Sequence, residues 1–259
     1  MKPTAGKRGW RLNFLTAALL LLAMVMNPGP TGAADLNVDT SLLNSPYTVA
    51  GIITYGNENV GIAAAPNNGV MNQAGFTNTV TNYLSLGTVA TASGTYNLSG
   101  GTLSVATQES VGSSGSGTFN QTGGTNSVTT NLFLGETADG SGTYIQSAGS
   151  LSAIYEYVGN FGSSFNQSGG TNTVSVNLTV GNGGTGTYNL SGGTLSASIE
   201  SIATDGSRGT FNQSAGSNVS GALIVGNGRS ASGTYFLSGG TLSVGEDEQI
   251  GNSGTGTFS

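Results

Sequence analysis

Apolar and polar residues alternate in short runs along most of the chain. The run at 174–180 places Val174, Val176, Leu178 and Val180 between Ser, Asn and Thr, which is the period of a β-strand. Gly-Gly, Ser-Gly-Gly and Asn-Gly sequences separate such runs and are typical of turns. No apolar spacing of three or four residues persists after residue 34. The pattern therefore predicts short strands joined by tight turns, with essentially no helix.

The runs belong to a repeat that is marked by Gly-Thr-Tyr or Gly-Thr-Phe. Starting from a divergent copy at Gly69, successive markers follow at steps of 21 to 25 residues. Tyr copies such as GTYNLSGGTLS alternate strictly with Phe copies such as GTFNQTGGTNSV, so the larger period is about 46 residues. The aromatic residues of the markers are Tyr96, Phe119, Tyr144, Phe165, Tyr188, Phe211, Tyr235 and Phe258.

A unit of about 23 residues with two or three short strands cannot enclose a core alone, but stacked units can. We therefore predict an all-β fold, a right-handed parallel β-helix (β-solenoid) of about eight coils of about 23 residues. Equivalent side chains would then form columns along the stack. The marker aromatics, Leu103 and its equivalents (Leu151, Leu195 and Leu242), and the pairs Leu132/Leu134 and Leu178/Val180 are expected inside.

A nearly continuous column of asparagines is expected beside the aromatic one. It comprises Asn72, Asn97, Asn120, Asn166, Asn189 and Asn212, and Ile145 and Phe236 interrupt it. Amide groups stacked in this way hydrogen-bond from coil to coil. A β-propeller built from the 46-residue double unit and a flexible Gly/Ser linker are the alternatives. The fixed phase of Leu and Val across eight copies favours the solenoid over the linker.

Three segments are predicted. Residues 1–34 read as a signal peptide, with a basic start, an apolar stretch at 14–26 and small residues before Asp35; that stretch is shorter than the roughly 20 residues of a membrane-spanning helix. Residues 35–68 are interpreted as a divergent first coil and cap, and 69–259 as solenoid repeats. The sequence stops four residues into a further copy, at Gly256–Ser259. We expect either that it is truncated there and the chain continues, or that an open edge permits end-to-end stacking.

Composition and charge exclude several classes of activity. The chain has no Cys and no His, which excludes thiol and imidazole chemistry and Cys/His metal sites. From Asp35 onward it carries two arginines, no lysine and twelve acidic residues, a formal net charge of −10. This balance removes the basic surface that nucleic-acid binding requires.

The alternating GTYNLSGGTLS and GTFNQSGGTNTV units, followed by Glu-x-Val-Gly or Asn-Leu-x-Val-Gly, resemble the autotransporter-associated β-strand repeat of secreted bacterial surface proteins. The resemblance covers roughly residues 69–259. It implies a β-solenoid passenger or surface stalk that is exported across the inner membrane. Proteins of that family usually carry a C-terminal outer-membrane barrel or sorting segment, which residues 69–259 do not contain.

One charged column accompanies the Tyr copies, and it is the main candidate for chemistry. It consists of Glu58, Glu109, Glu156, Glu200 and Glu248, each two residues before a Val or Ile. Since strand neighbours two apart share a face, the carboxylates would lie on the inward side, where the Phe copies have Leu132 or Leu178. A Glu at a coil corner that accepts backbone N–H bonds or reaches solvent is the favoured interpretation. A cation-binding or partner-binding stripe is the sharper alternative.

Other candidate sites are weaker. The cluster Glu246-Asp247-Glu248 is interpreted as a solvated turn rather than a Ca²⁺ site. The column of marker threonines, typified by Thr95 and Thr118, is interpreted as ordinary strand filling rather than a surface for ice or polysaccharide. Asp139 and Asp205 are single turn residues. We predict no catalytic, cofactor-binding or metal-ligating residues.

Together these features predict a non-catalytic, exported structural protein: a rigid stalk or passenger segment of a bacterial surface or adhesin-like protein. It would be secreted or on the cell surface, with a polysaccharide or cell-surface partner, no nucleic acid and no membrane span in the mature chain. The alternative is a carbohydrate-active β-helix enzyme, a lyase or hydrolase. Such chemistry usually pairs clustered carboxylates with a cation or an imidazole, and here only Arg208 and Arg229 are available after residue 34.

Overall fold

The computed structural model describes residues 33–42, 44–63, 68–159 and 162–259. These residues wind into a β-solenoid of about nine turns. Within this part of the chain, the only helical segment is a single 3₁₀ turn at Thr40–Leu42. The predicted all-β solenoid with coils of about 23 residues is thereby confirmed. The predicted signal peptide at 1–34 lies almost entirely outside the described residues.

Each turn places strands in three stacks. The first stack contains β1 (Leu36–Val38), β4 (Glu58–Val60), β6 (Tyr83–Leu86), β8 (Gln108–Val111), β11 (Asn131–Leu134), the second halves of β13 (Ser150–Val158), β15 (Thr171–Val180), β17 (Thr194–Ile202) and β19 (Ser217–Val225), and β22 (Glu248–Ile250).

The second stack carries the marker motif. It contains β2 (Tyr47–Thr48), the first halves of β5 (Asn68–Val80) and β7 (Ser93–Val105), β9 (Ser116–Gln121), β12 (Ser141–Gln146), β14 (Ser163–Gln167), β16 (Thr185–Leu190), β18 (Arg208–Gln213), β20 (Ser232–Leu237) and β23 (Thr255–Phe258). The third stack contains β3 (Ile53–Tyr55), the second halves of β5 and β7, β10 (Thr125–Val128), the first halves of β13, β15, β17 and β19, and β21 (Thr241–Val244).

All pairings between these strands are parallel, and like residues lie over like residues. Phe119 pairs with Tyr96 on one side and Tyr144 on the other. The rings stack, with centroids 5.0 Å apart for Tyr96–Phe119, 4.6 Å for Phe119–Tyr144 and 4.8 Å for Tyr144–Phe165. The column continues to Phe258, and its members from Tyr96 to Tyr235 are fully buried. The predicted aromatic column is confirmed.

The asparagine column forms a side-chain ladder on the outer side of the second stack. Asn97 Nδ2 donates to Asn72 Oδ1 and Asn120 Nδ2 donates to Asn97 Oδ1, both at 2.8 Å. After the break at Ile145, the same bonds resume from Asn189 and Asn212 at 2.8 Å each. The column predicted from the sequence is therefore hydrogen-bonded on both sides of its interruption.

The glycine of the marker is required by a close approach of two backbones. A Cβ placed on Gly142 would lie 2.1 Å from the carbonyl oxygen of Val111, in the first stack of the preceding turn. Any side chain at this position would overlap the backbone. The Gly-Thr-aromatic motif thus combines a contact that only glycine permits with an aromatic ring in the core two residues later.

One predicted strand is interrupted by a corner. Val174 and Leu178 are buried, but Val176 between them is 38% exposed, and the pairing register shifts between Val174 and Asn177. The chain passes from the third stack to the first at this point. A strict period of two therefore fails across the corner, although it holds on either side.

Candidate functional site

The predicted glutamate column lies inside the solenoid, in the first stack. Glu58, Glu109, Glu156 and Glu200 are fully buried, at 0% exposure. They alternate with leucines, because Glu109 pairs with Leu84 and Leu132, and Glu156 with Leu132 and Leu178. The interpretation favoured from the sequence is a corner Glu that accepts backbone N–H bonds or reaches solvent. None of the four reaches solvent, and the donor to each carboxyl is an asparagine side chain. Glu248, the fifth member, lies in β22, the last strand of the first stack, and is exposed.

Successive turns alternate between polar and apolar interiors. The turn that begins with Glu109 continues through Phe119, Gln121 and Asn126, whereas the next turn places Leu132, Tyr144, Gln146 and Leu151 at matching positions. Gln146 is the exception in that turn, since the equivalent residues of the other Tyr copies are Leu98, Leu190 and Leu237. The glutamates follow the Tyr copies in sequence, but they share a turn with the Phe copies. A turn is counted from its first-stack strand. Each Glu lies near the start of that strand, directly after the bend from the third stack.

Each polar turn contributes three side chains to a connected cluster, and the tyrosine of the following turn is the fourth. In the cluster of Glu109, the Asn126 Nδ2 donates to Glu109 Oε2 at 3.0 Å and to the Tyr144 hydroxyl at 3.2 Å. The Tyr144 hydroxyl donates to Gln121 Oε1 at 2.8 Å. Gln121 Nε2 then donates to the Ser150 carbonyl at 2.9 Å. The network runs from a buried carboxyl to the backbone of the following turn.

The same network occurs four times. Asn78, Asn172 and Asn218 donate to Glu58, Glu156 and Glu200 at 2.8, 2.9 and 3.0 Å respectively. Tyr96, Tyr188 and Tyr235 receive from these asparagines and donate to a glutamine. We call the four groups the glutamate clusters: Glu58/Gln73/Asn78/Tyr96, Glu109/Gln121/Asn126/Tyr144, Glu156/Gln167/Asn172/Tyr188 and Glu200/Gln213/Asn218/Tyr235.

The clusters give a physical reason for the alternation of Tyr and Phe. Each cluster needs one hydroxyl between an asparagine donor and a glutamine acceptor, and the Tyr of the following turn supplies it. A second hydroxyl from the Phe position of the same turn would add a buried group to be paired. Sequence reasoning found the glutamates and missed their asparagine and glutamine partners. The available signal was that the position of Leu103 holds Asn in the Phe copies and in the divergent copy at Gly69, but never in a Tyr copy.

Two buried oxygens in each cluster have no hydrogen-bond donor. In the cluster of Glu109 they are Glu109 Oε1 and Asn126 Oδ1. Burial raises the pKa of Glu109 from 4.5 to about 8, against the lowering effect of the Asn126 hydrogen bond, and Glu58 and Glu156 raise it further. Burial likewise raises the pKa of Glu156 to about 8 and of Glu58 and Glu200 to about 7.

The clusters are separated from one another and enclosed. Like turns repeat every second coil, so successive glutamates are about 9–10 Å apart, too far for two of them to share one cation. Within the described ranges, no three His, Cys, Asp or Glu side chains come together as metal ligands. Glu246, Asp247 and Glu248 are all exposed and form no such group.

The outer surface carries the remaining candidates. The marker threonines point outward beside the asparagine ladder and are half-buried, as in Thr95 and Thr118. On the first stack, Asn57, Asn59, Tyr83, Ser85, Gln108 and Glu136 line an open groove of about 490 Å³.

Aromatic rings lie on the outer side of the first stack, both in this groove and farther along. Tyr83 is 50% exposed. Farther along the first stack, the half-buried rings of Phe133 and Tyr157 stack at 4.8 Å. The first stack therefore combines an inward glutamate column with outward aromatic and amide groups.

No family model matches the chain, and no curated protein or solved structure matches it significantly. The resemblance to the autotransporter-associated repeat therefore rests on the sequence units alone and stays a prediction. Across the described ranges, no helix is both long and apolar enough to pass through a bilayer.

Proposed function

We propose that the protein is a non-catalytic, exported structural element: a rigid β-solenoid stalk or passenger segment of a bacterial surface or adhesin-like protein. The observation that carries this proposal is the continuity of the stack. The rings from Tyr96 to Phe258 form one unbroken column, with neighbouring centroids 4.6 to 5.3 Å apart. Such a column resists bending because displacing one turn separates two ring pairs.

The placement of the acidic groups also supports a structural role. The four carboxyls whose pKa is raised by burial are enclosed in the core, where a substrate cannot reach them. Arg208 and Arg229, the only cationic side chains after residue 34, are both exposed. Acid–base catalysis requires a group within hydrogen-bond reach of the substrate, so these carboxyls contribute to packing instead.

Export is tested by following the full chain in a Gram-negative host. We expect the protein to be recovered outside the cytoplasm with a new N-terminus near Asp35, as mass spectrometry of the intact chain would report. Leu20→Arg interrupts the apolar stretch of the leader and serves as the control that remains inside. Wild-type protein retained in the cytoplasm with residues 1–34 attached would contradict the export part of the proposal.

Rigidity is tested independently by small-angle X-ray scattering on the purified chain. Nine turns at about 4.8 Å each give a rod of about 40 Å. A particle that fits this rod supports a stalk, whereas a flexible or collapsed particle would contradict it.

Adhesion to polysaccharide is a second candidate function, favoured by the outer side of the first stack. Tyr83 presents half of its ring beside Asn59 and Gln108, and a sugar presents both an apolar face and hydroxyl groups to such a surface. We expect the chain to be retained on at least one of cellulose, chitin or xylan, and Tyr83→Ala to weaken that retention. Phe236→Ala, which removes an exposed ring of the second stack, is the matched control. Release of soluble sugar in the same assay would favour the enzyme alternative.

A further inference from the structure

The unpartnered oxygens of the glutamate clusters come in pairs. In each cluster, one oxygen belongs to the glutamate carboxyl and the other to the asparagine amide that already donates to that carboxyl. Both atoms are acceptors when the carboxyl is ionised, so neither can satisfy the other. A buried polar atom without a partner is costly, and the same deficit in four clusters calls for one common explanation.

A proton on the carboxyl corrects both deficits together. A neutral carboxyl has one O–H donor, and a primary amide pairs with it through N–H···O and O–H···O bonds. The first of these bonds is present, from Asn126 Nδ2 to Glu109 Oε2 at 3.0 Å. The remaining Oε1 and Oδ1 are the atoms that the second bond requires. We infer that each glutamate cluster is a proton-binding site, in which the glutamate is held as a neutral acid paired with its asparagine.

Among the residues that the structure describes, no cationic side chain faces Glu109, and Arg208 and Arg229 are both exposed. The titratable groups that face Glu109 are the hydroxyl of Tyr144, Tyr96 in the preceding turn, and Glu58 and Glu156 in the adjacent clusters. All are neutral or acidic. The strand neighbours of Glu109 are Leu84 and Leu132, and the other cluster members, Gln121 and Asn126, carry no charge. An ionised column would place four like charges in a low-dielectric core.

The bound protons couple the solenoid to pH. The unfolded chain releases the Glu109 proton near its ordinary pKa of 4.5, whereas the folded chain holds it to about 8. Stability from this group is therefore complete below pH 4.5, falls as pH rises between these values, and does not change further above pH 8. The fold is therefore most stable in acidic surroundings, loses most of this contribution by neutral pH and has lost all of it above about pH 8.

The decisive comparison is Glu109→Gln against the wild type, since Gln is the permanently neutral, hydrogen-bonding equivalent of the protonated acid. Unfolding is followed by circular dichroism in denaturant from pH 4.5 to 9. Near pH 4.5 the two chains should unfold alike. By pH 9 the folding equilibrium constant of the variant should exceed that of the wild type by up to about three orders of magnitude, at tenfold for each unit of pKa change.

Glu248→Gln is the matched control, because it changes the same column at an exposed position. Its difference from the wild type should not grow with pH as that of Glu109→Gln does. A Glu109→Gln difference that is constant across pH would overturn the proposal.

Infrared spectroscopy of the wild-type protein tests the proton directly and does not depend on a variant that folds. At pH 6, surface carboxyls are ionised, so the carbonyl stretch of un-ionised carboxylic acid should come from the clusters. The band should weaken in Glu109→Gln and disappear as the pH passes 8. A native chain at pH 6 with only carboxylate bands would mean that water or a cation satisfies these oxygens, and the proton site would be refuted.

Discussion

The aromatic column makes a quantitative prediction at Phe211. This ring is fully buried and lies between Tyr188 and Tyr235, with centroids 4.9 and 4.6 Å away and interplanar angles of 2° and 7°. Phe211→Ala removes the buried ring and leaves a cavity, which costs about 3–5 kcal/mol. The two stacked pairs add about 0.5–1.5 kcal/mol each. We therefore expect the free energy of unfolding to fall by at least about 4 kcal/mol.

Urea denaturation followed by far-ultraviolet circular dichroism measures this loss. Phe211→Leu keeps most of the apolar volume but removes the ring pairs, so it should lower the free energy of unfolding by an intermediate amount. Phe236→Ala removes a phenylalanine that is 46% exposed on β20 and should change the free energy of unfolding by no more than about 0.5 kcal/mol. Equal losses for Phe211→Ala and Phe236→Ala would refute the argument that the column holds the turns together.

Two further features of the second stack lead to predictions that the same denaturation experiment checks. Asn189→Ala removes the ladder bonds to the asparagines of both adjacent turns and should cost about 1–2 kcal/mol. Ile145→Asn restores the interrupted ladder and should stabilise the protein by about 1 kcal/mol, so a destabilised variant would contradict the assigned role of the ladder. Gly142→Ala drives a methyl group against the Val111 carbonyl and should cost about 3 kcal/mol or more. Gly75→Ala meets no atom within 4 Å, and an equally large loss there would contradict the steric explanation.

The stacking order of the solenoid follows from the sequence alone. Markers that recur about every 23 residues force equivalent residues into register once the chain winds about one axis. The positions of the aromatic column and the asparagine ladder are therefore predictable from the sequence. Their confirmation depends on the parallel pairing of Phe119 with Tyr144 and of Asn97 with Asn120.

The position of the corners could not be read from the sequence in the same way. Gly and Ser spacers between strands tolerate several backbone paths, so the alternation at Val174 and Val176 looked continuous although a corner separates the two residues. For the same reason, the sequence grouped Glu109 with the preceding Tyr copy and favoured a coil corner at which it accepts backbone N–H bonds or reaches solvent. In the folded chain it begins the turn of Phe119 and is fully buried.

The sequence by itself determined the period, the strand content and which residues stack on equivalents of themselves, because these depend only on distances along the chain. The tertiary structure decided which columns face one another across the interior. Glu109, Gln121, Asn126 and Tyr144 span 36 residues of sequence and meet only because three stacks enclose a common core. Contacts between different columns depend on the angles at the corners, and those angles are fixed by packing rather than by the repeat.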